Sequence, residues 1–156
     1  GTESMHVLRA EKGYIIVGQD TDGSMTPMDV NMNWILAKDK PFSNIGRRSF
    51  SIAALNSSDR LQLVGLLTKD SQVVLPEGAH IISNQGISIG YVTSSYYSSA
   101  LGRSIALAQL KGGLSMMSET VLVKIVQEKQ GLKEIPCEVS GSVFYDVKGE
   151  KVDGNE

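Results

Sequence analysis

From Arg60 onward the chain is divided into short apolar runs separated by turn residues, and this pattern leaves few folds open. Leu61-Gln62-Leu63-Val64-Gly65-Leu66-Leu67 reads as a strand, and Lys69-Asp70-Ser71-Gln72 as the turn after it. His80-Ile81-Ile82 and the run Ile87 to Val92 flank Ser83-Asn84-Gln85-Gly86, a hairpin signal. Arg103 to Leu110 is a further apolar strand. Thr120 to Gln127 and Lys133 to Val139 pair around Lys129-Gln130-Gly131. Five or six strands at this spacing predict a small antiparallel β-barrel or a distorted jelly roll. Pro136 cannot donate to a ladder, so it is expected at an edge or a bulge.

The residues before that region read differently. Thr2 is a suitable N-cap, Glu3 suits the positive end of a helix dipole, and Gly13 is a natural stop, so a short helix is expected from Thr2 to Lys12. Tyr14-Ile15-Ile16-Val17 predicts a strand or a buried extended run. Gln19 to Gly23 is a polar loop rich in turn residues. Thr26-Pro27, with Asp29 following, predicts the start of a second short helix. Asp39-Lys40-Pro41 breaks the chain, and Arg47 to Leu55 reads as another helix. Asn56-Ser57-Ser58-Asp59 marks the best boundary, dividing the chain into 1–56, 57–147 and a polar tail 148–156. The expected class is β-rich α+β.

Composition excludes several functions. Fifteen basic and seventeen acidic residues in 156, with no cationic run, offer no nucleic-acid footprint. A single cysteine, Cys137, permits no intrachain disulfide or cysteine-based metal site, and His6 and His80 lack metal-ligand spacing. No signal peptide and no run of membrane-spanning length is present, so no membrane partner and a cytoplasmic location are expected. The start at Gly1 without an initiator methionine is expected of a tagged or processed chain.

The densest set of non-interchangeable residues is Arg9 to Trp34. Arg9, Glu11 and Asp20 are groups that bind carboxylates or ring donors, and Tyr14 and Trp34 are flat rings that can stack on a heterocycle. Residue types alone leave the alternatives open. Arg9 and Glu11 equally suit a solvated helix face or pairing with neighbours, Tyr14 and Trp34 suit a core, and Asp20 and Asp22 suit turns.

Order and spacing add a resemblance. The run LRAEKGYIIVGQDTDG, followed by Thr26-Pro27, Asp29 and Trp34, resembles the signature segment of the folate-binding aminomethyltransferase family, which includes the glycine-cleavage T-protein, and most closely its sarcosine-oxidising branch. Ile45-Gly46-Arg47-Arg48 resembles a FIGKR-type run of the family. Val92 to Ala108 resembles its VTSGxYSPxLGRxIALA-type run, and Val143-Phe144-Tyr145-Asp146 its closing PFYD. Two departures matter. Met5 stands where T-proteins carry the first arginine of GLGARD, so that folate-tail contact does not transfer. Lys12 to Asp20 lacks the cysteine of the KGCYxGQE relatives.

The resemblance implies that 1–56 ends the folate-binding domain and 57–147 is the C-terminal barrel. It implies tetrahydrofolate as the cofactor, with Arg9, Glu11, Tyr14 and Trp34 on the folate side. No catalytic residue falls in this chain, because the family's aspartate belongs to an earlier part. In the oxidase branch the parent complex uses FAD, FMN and NAD elsewhere. Its partners are the rest of the alpha subunit, a flavin-bearing beta subunit and smaller subunits. The parent reaction oxidises an N-methyl amine and captures the one-carbon unit as 5,10-methylenetetrahydrofolate. A T-protein-like aminomethyl transfer and a non-catalytic docking barrel are the alternatives. Ser94 to Gly102 is expected as a long polar loop, with Tyr96 and Tyr97 as anchors or ligand covers.

Overall fold

A computed structural model of the chain describes residues 1–37, 41–42, 45–127 and 131–151. The expected break at 39–40, the middle of the last hairpin turn at 129–130 and the end of the tail at 152–156 lie outside the described residues.

Six antiparallel strands close into a barrel: β1 (Leu61–Thr68), β2 (His80–Ile82), β3 (Ser88–Ser98), β4 (Arg103–Lys111), β5 (Thr120–Gln127) and β6 (Gly131–Ser140), in the order β1-β4-β3-β2-β5-β6. Alternation sends one set of side chains inward. Val64, Leu66, Ile81, Val92, Ala106, Ala108 and Leu110 meet Val121, Val123, Ile125, Ile135, Cys137 and Val139, and Leu75 from the β1–β2 connection joins them. A barrel this narrow is filled by side chains and holds no channel. The inward set is apolar because each methylene buried there contributes about 0.8 kcal/mol.

Pro136 falls where its missing N–H costs nothing. Val139 N donates toward the β5 side, to Glu119 O, so alternation turns the Pro136 nitrogen toward β1. There the β1–β6 register ends at Thr68 opposite Cys137, and Lys69 N donates to Pro136 O as the last rung.

Residues 1–37 lie over the outer wall of β1, β3 and β4. The helix α1 (Thr2–Glu11) has Gly1 as its N-cap, one residue before the expected cap, with no side-chain bond there. Its end is a Schellman turn: Gly13 N donates to Ala10 O at 3.0 Å, Tyr14 N to Arg9 O at 2.8 Å, and Gly13 sits at φ +70°. Val30 covers outward-facing Leu63 and Leu107, with Ile15, Met25, Met32 and Phe144 around them.

Several local expectations are corrected. Tyr14 to Val17 forms no strand; a single bridge joins Val17 to Thr21. Residues 27–31 make turns and no α-helix: the Thr26 amide and hydroxyl bond Asp29 Oδ2 as at a helix start, but Asn31 at φ +60° breaks the run after one turn. Arg47 to Leu55 holds two 3-10 turns, Ser49–Ser51 and Ala53–Leu55. The polar run after Thr93 is mostly strand: β3 continues to Ser98, and only residues 99–102 turn.

Candidate functional site

Asp20 is the hub that joins the signature stretch to the barrel, and its side chain is fully buried. Oδ2 accepts from Arg9 Nη1 at 2.5 Å and from Ile16 N at 2.8 Å. Oδ1 accepts from Thr93 Oγ1 at 2.5 Å and Ser94 Oγ at 2.7 Å. The Asp20 main-chain oxygen accepts from Gln109 Nε2 at 2.7 Å. A regular strand would send adjacent Thr93 and Ser94 to opposite faces. The β3–β4 register slips between Val92 and Ser94, a bulge-type irregularity that lets both hydroxyls reach one carboxylate.

Arg9 is committed in the same network. Nη1 also donates to Tyr14 O, and Nη2 donates to Ser94 Oγ at 2.6 Å and Tyr96 Oη at 3.3 Å, with the guanidinium 5.7 Å from the Tyr96 ring centroid. Gln19 Nε2 donates to Thr93 O, Ser94 Oγ and Glu77 Oε1, tying the loop to the β1–β2 connection. Glu11 is buried: Oε1 accepts from Ser98 Oγ at 2.6 Å, and its main-chain oxygen accepts from the Phe144 and Tyr145 amides. Lys12 Nζ pairs with Asp146 Oδ2 at 3.0 Å. Burial pushes the Asp146 carboxyl up, but the bond and charge of Lys12 together with the Lys151 and Glu150 amides more than offset this and hold it below its ordinary value.

The four residues assigned to the folate side thus separate into two kinds. Arg9 and Glu11 hold the segment to the barrel. Tyr14 and Trp34 present rings to solvent, at 63% and 80% exposure, and neither joins the core. Tyr14 is brought to Arg9 through its carbonyl, whereas Trp34 lies in a separate 3-10 turn, Asn33–Ile35. The loop Gln19 to Gly23 lies on the same side as α1, as expected, but Asp20 is its anchor. Thr93, Ser94, Ser98 and Gln109 were not singled out from sequence. The available signal was an unbroken strand pattern through hydroxyl residues, which in a buried sheet implies polar partners.

A second anchor lies further along the segment. Arg60 Nη2 meets Asp29 Oδ2 at 2.8 Å, and Nε meets Oδ1 at 3.0 Å. Asp29 O accepts from Leu63 N at 2.7 Å, and Asn31 Nδ2 donates to Leu63 O at 3.0 Å. Among the described residues no group of three or more His, Cys, Asp or Glu is placed to hold a metal, and no helix is long and apolar enough to cross a membrane.

A closed six-stranded barrel with an N-terminal segment keyed to its outer wall defines a barrel-type α+β protein. The family model described as the glycine cleavage T-protein C-terminal barrel domain matches residues 62–146, and that described as the GCVT N-terminal domain matches residues 1–40. The chain belongs to the glycine cleavage T-protein family. It is 42% identical over 161 residues to the sarcosine oxidase subunit alpha of Corynebacterium sp. (strain P-1), covering 99% of this chain and 16% of that one. The aminomethyltransferase of Synechococcus sp. (strain CC9311) is 29% identical over 93% of this chain and 37% of its own. The glycine cleavage system aminomethyltransferase T from Bartonella henselae superposes with a TM-score of 0.78 at 24% identity, over 92% of this chain and 38% of that one. The chain therefore spans about one-sixth of the sarcosine oxidase subunits that it matches.

Proposed function

We propose that this chain is the C-terminal part of a subunit of the sarcosine oxidase alpha type. Residues 1–56 end its folate-binding domain, 57–147 form its barrel, and 148–156 are a tail. The observation that carries this reading is 42% identity to such a subunit across 99% of the chain, above the 29% and 33% found with aminomethyltransferases over 93% and 69% of it. In this proposal the whole protein, with a flavin-bearing beta subunit and smaller subunits, demethylates sarcosine using FAD, FMN and NAD held elsewhere. The one-carbon unit passes to tetrahydrofolate.

In this proposal Tyr14, Trp34, Arg47 and Arg48 belong to the folate side. Tyr14 and Trp34 offer exposed ring faces, and Arg47 and Arg48 are exposed with no ion pair among the described residues, so they can meet the carboxylates of a glutamyl tail. Arg9 and Glu11 act in this reading by fixing the backbone around Tyr14. Tetrahydrofolate supplies the nucleophilic nitrogen when bound, and these residues bind and orient it.

The test uses the complete assembled enzyme. Sarcosine turnover with tetrahydrofolate should yield 5,10-methylenetetrahydrofolate, and turnover without it free formaldehyde. No sarcosine turnover, together with aminomethyl transfer from a lipoyl carrier, would sink the oxidase reading. Calorimetry on the 156-residue chain alone should give no micromolar binding of tetrahydrofolate.

A further inference from the structure

The strap formed by residues 1–37 covers only part of the outer wall. Beyond Leu63 and Leu107 the same face continues uncovered across four strands. Strand register sets its members side by side: His80 faces Tyr91, and Leu61 faces Lys111. Ile89 falls opposite Lys111 when the Gly90–Leu110 rung is continued by one residue. Together they line a hollow of about 240 Å³.

Its lining is mostly apolar, with Leu61, Ile89, Gly90 and Tyr91 among its members. Its rim offers hydrogen-bond donors. Ser88 Oγ lies 2.9 Å from His80 Nδ1, which leaves Nε2 free to face a ligand. Lys111 Nζ is held only loosely, 3.6 Å from Asp59 Oδ2 in an exposed pair. Burial, with Asp22 nearby, pushes the Tyr91 hydroxyl up, so it remains a donor at neutral pH. Among the described residues no carboxylate lines the hollow; Asp22 and Asp59 stand outside it. Apolar lining and cationic rim are the pairing that small-molecule sites use to fix an amphiphilic anion.

We propose that this hollow binds a small organic carboxylate, its compact apolar body against Leu61, Ile89 and Tyr91 and its charge at Lys111 and His80. The proposal is independent of the folate reading, since none of these residues belongs to the Asp20 network. Sodium benzoate is the probe, with benzyl alcohol as its neutral counterpart and sodium phosphate as an anion without an apolar body. In amide NMR spectra of the protein, benzoate should give saturable shifts confined to His80, Ile89 to Tyr91 and Lys111. Benzyl alcohol should bind more weakly and phosphate without saturation. Lys111→Gln should weaken benzoate by up to about fivefold, the range for a partly exposed charge contact, and leave benzyl alcohol unchanged. Ile89→Asp should abolish both, and because Ile89 also packs against the barrel core, retention of the fold is checked in the same amide spectrum. Unsaturable shifts, equal affinity for benzoate and benzyl alcohol, or indifference to Lys111→Gln would each overturn the proposal.

Discussion

Arg9 and Asp20 form an ion pair at 2.5 Å in which the carboxylate is fully buried, and the same carboxylate holds two adjacent hydroxyls of β3. A buried charge of this kind is tolerable only because all its oxygens are bonded. Asp20→Ala leaves the Arg9 charge without its carboxylate and takes an acceptor from Thr93 and Ser94, and removing one partner of a buried pair costs about 3–5 kcal/mol. The expected pattern is local. Residues 14–31 should lose protection in hydrogen exchange while β5 keeps its own. Equal loss in β5 would mean that Asp20 supports the barrel itself.

Gly13 is needed for two reasons at once. Its φ of +70° favours glycine, and a Cβ there would stand 2.6 Å from Ser142 O. Gly13→Ala should cost at least about 1 kcal/mol by left-handed strain alone, measured by urea denaturation, with more from the displaced 142–145 segment. An unchanged midpoint would show that the helix end and that segment move freely past each other.

Acid should weaken the second anchor. Burial pushes the Asp29 carboxyl up, but Arg60 and the two Thr26 bonds more than offset it, leaving it below its ordinary value. Folding therefore favours the ionised form. Its contribution is present above the unfolded value of about 3.9 and is lost as pH falls through the lower folded value. Asp29→Asn should reduce stability at neutral pH and flatten the acid limb of a stability-against-pH curve. A parallel curve, merely displaced, would assign the acid sensitivity to other carboxylates.

Cys137 should be silent in the native state. Burial pushes its thiol up to about 12, so the neutral form is favoured by folding. Its contribution is complete below the unfolded value of about 8.5 and is lost as pH rises through the folded one. A thiol reagent at neutral pH should label the protein only as fast as it unfolds. Rapid labelling without unfolding would contradict the inward placement of Cys137 opposite Thr68.

The barrel was legible because its information is local. Alternation marked β1, β4 and β5, Ser83 to Gly86 marked a hairpin, and Gly13 marked the helix end. The hub was not legible, because it is made at long range. Asp20 looks like any turn aspartate until Thr93 and Ser94 arrive from 73 and 74 residues away. Ser94 to Ser98 looked like loop because serine disfavours strands when its hydroxyl lacks a partner; here Asp20, Leu75 N and Glu11 provide them. By residue type Tyr14 and Trp34 suit a core more often than a ligand shelf, and their exposure could not be inferred from hydrophobicity.

Closure of the barrel between its first and last strands also sets a timetable. On the ribosome Arg9, Glu11 and Asp20 emerge before the barrel strands that hold them. Yet Asp20 waits for β3, and the Glu11 carbonyl waits for the amides of Phe144 and Tyr145, near the end of the described chain. At a synthesis rate of about 5–20 residues per second, the helix and its loop spend several seconds without the surface that holds them. Between these residues the order of synthesis and the order of completion are reversed, and throughout that interval the helix and its loop are the natural target for a chaperone or a protease.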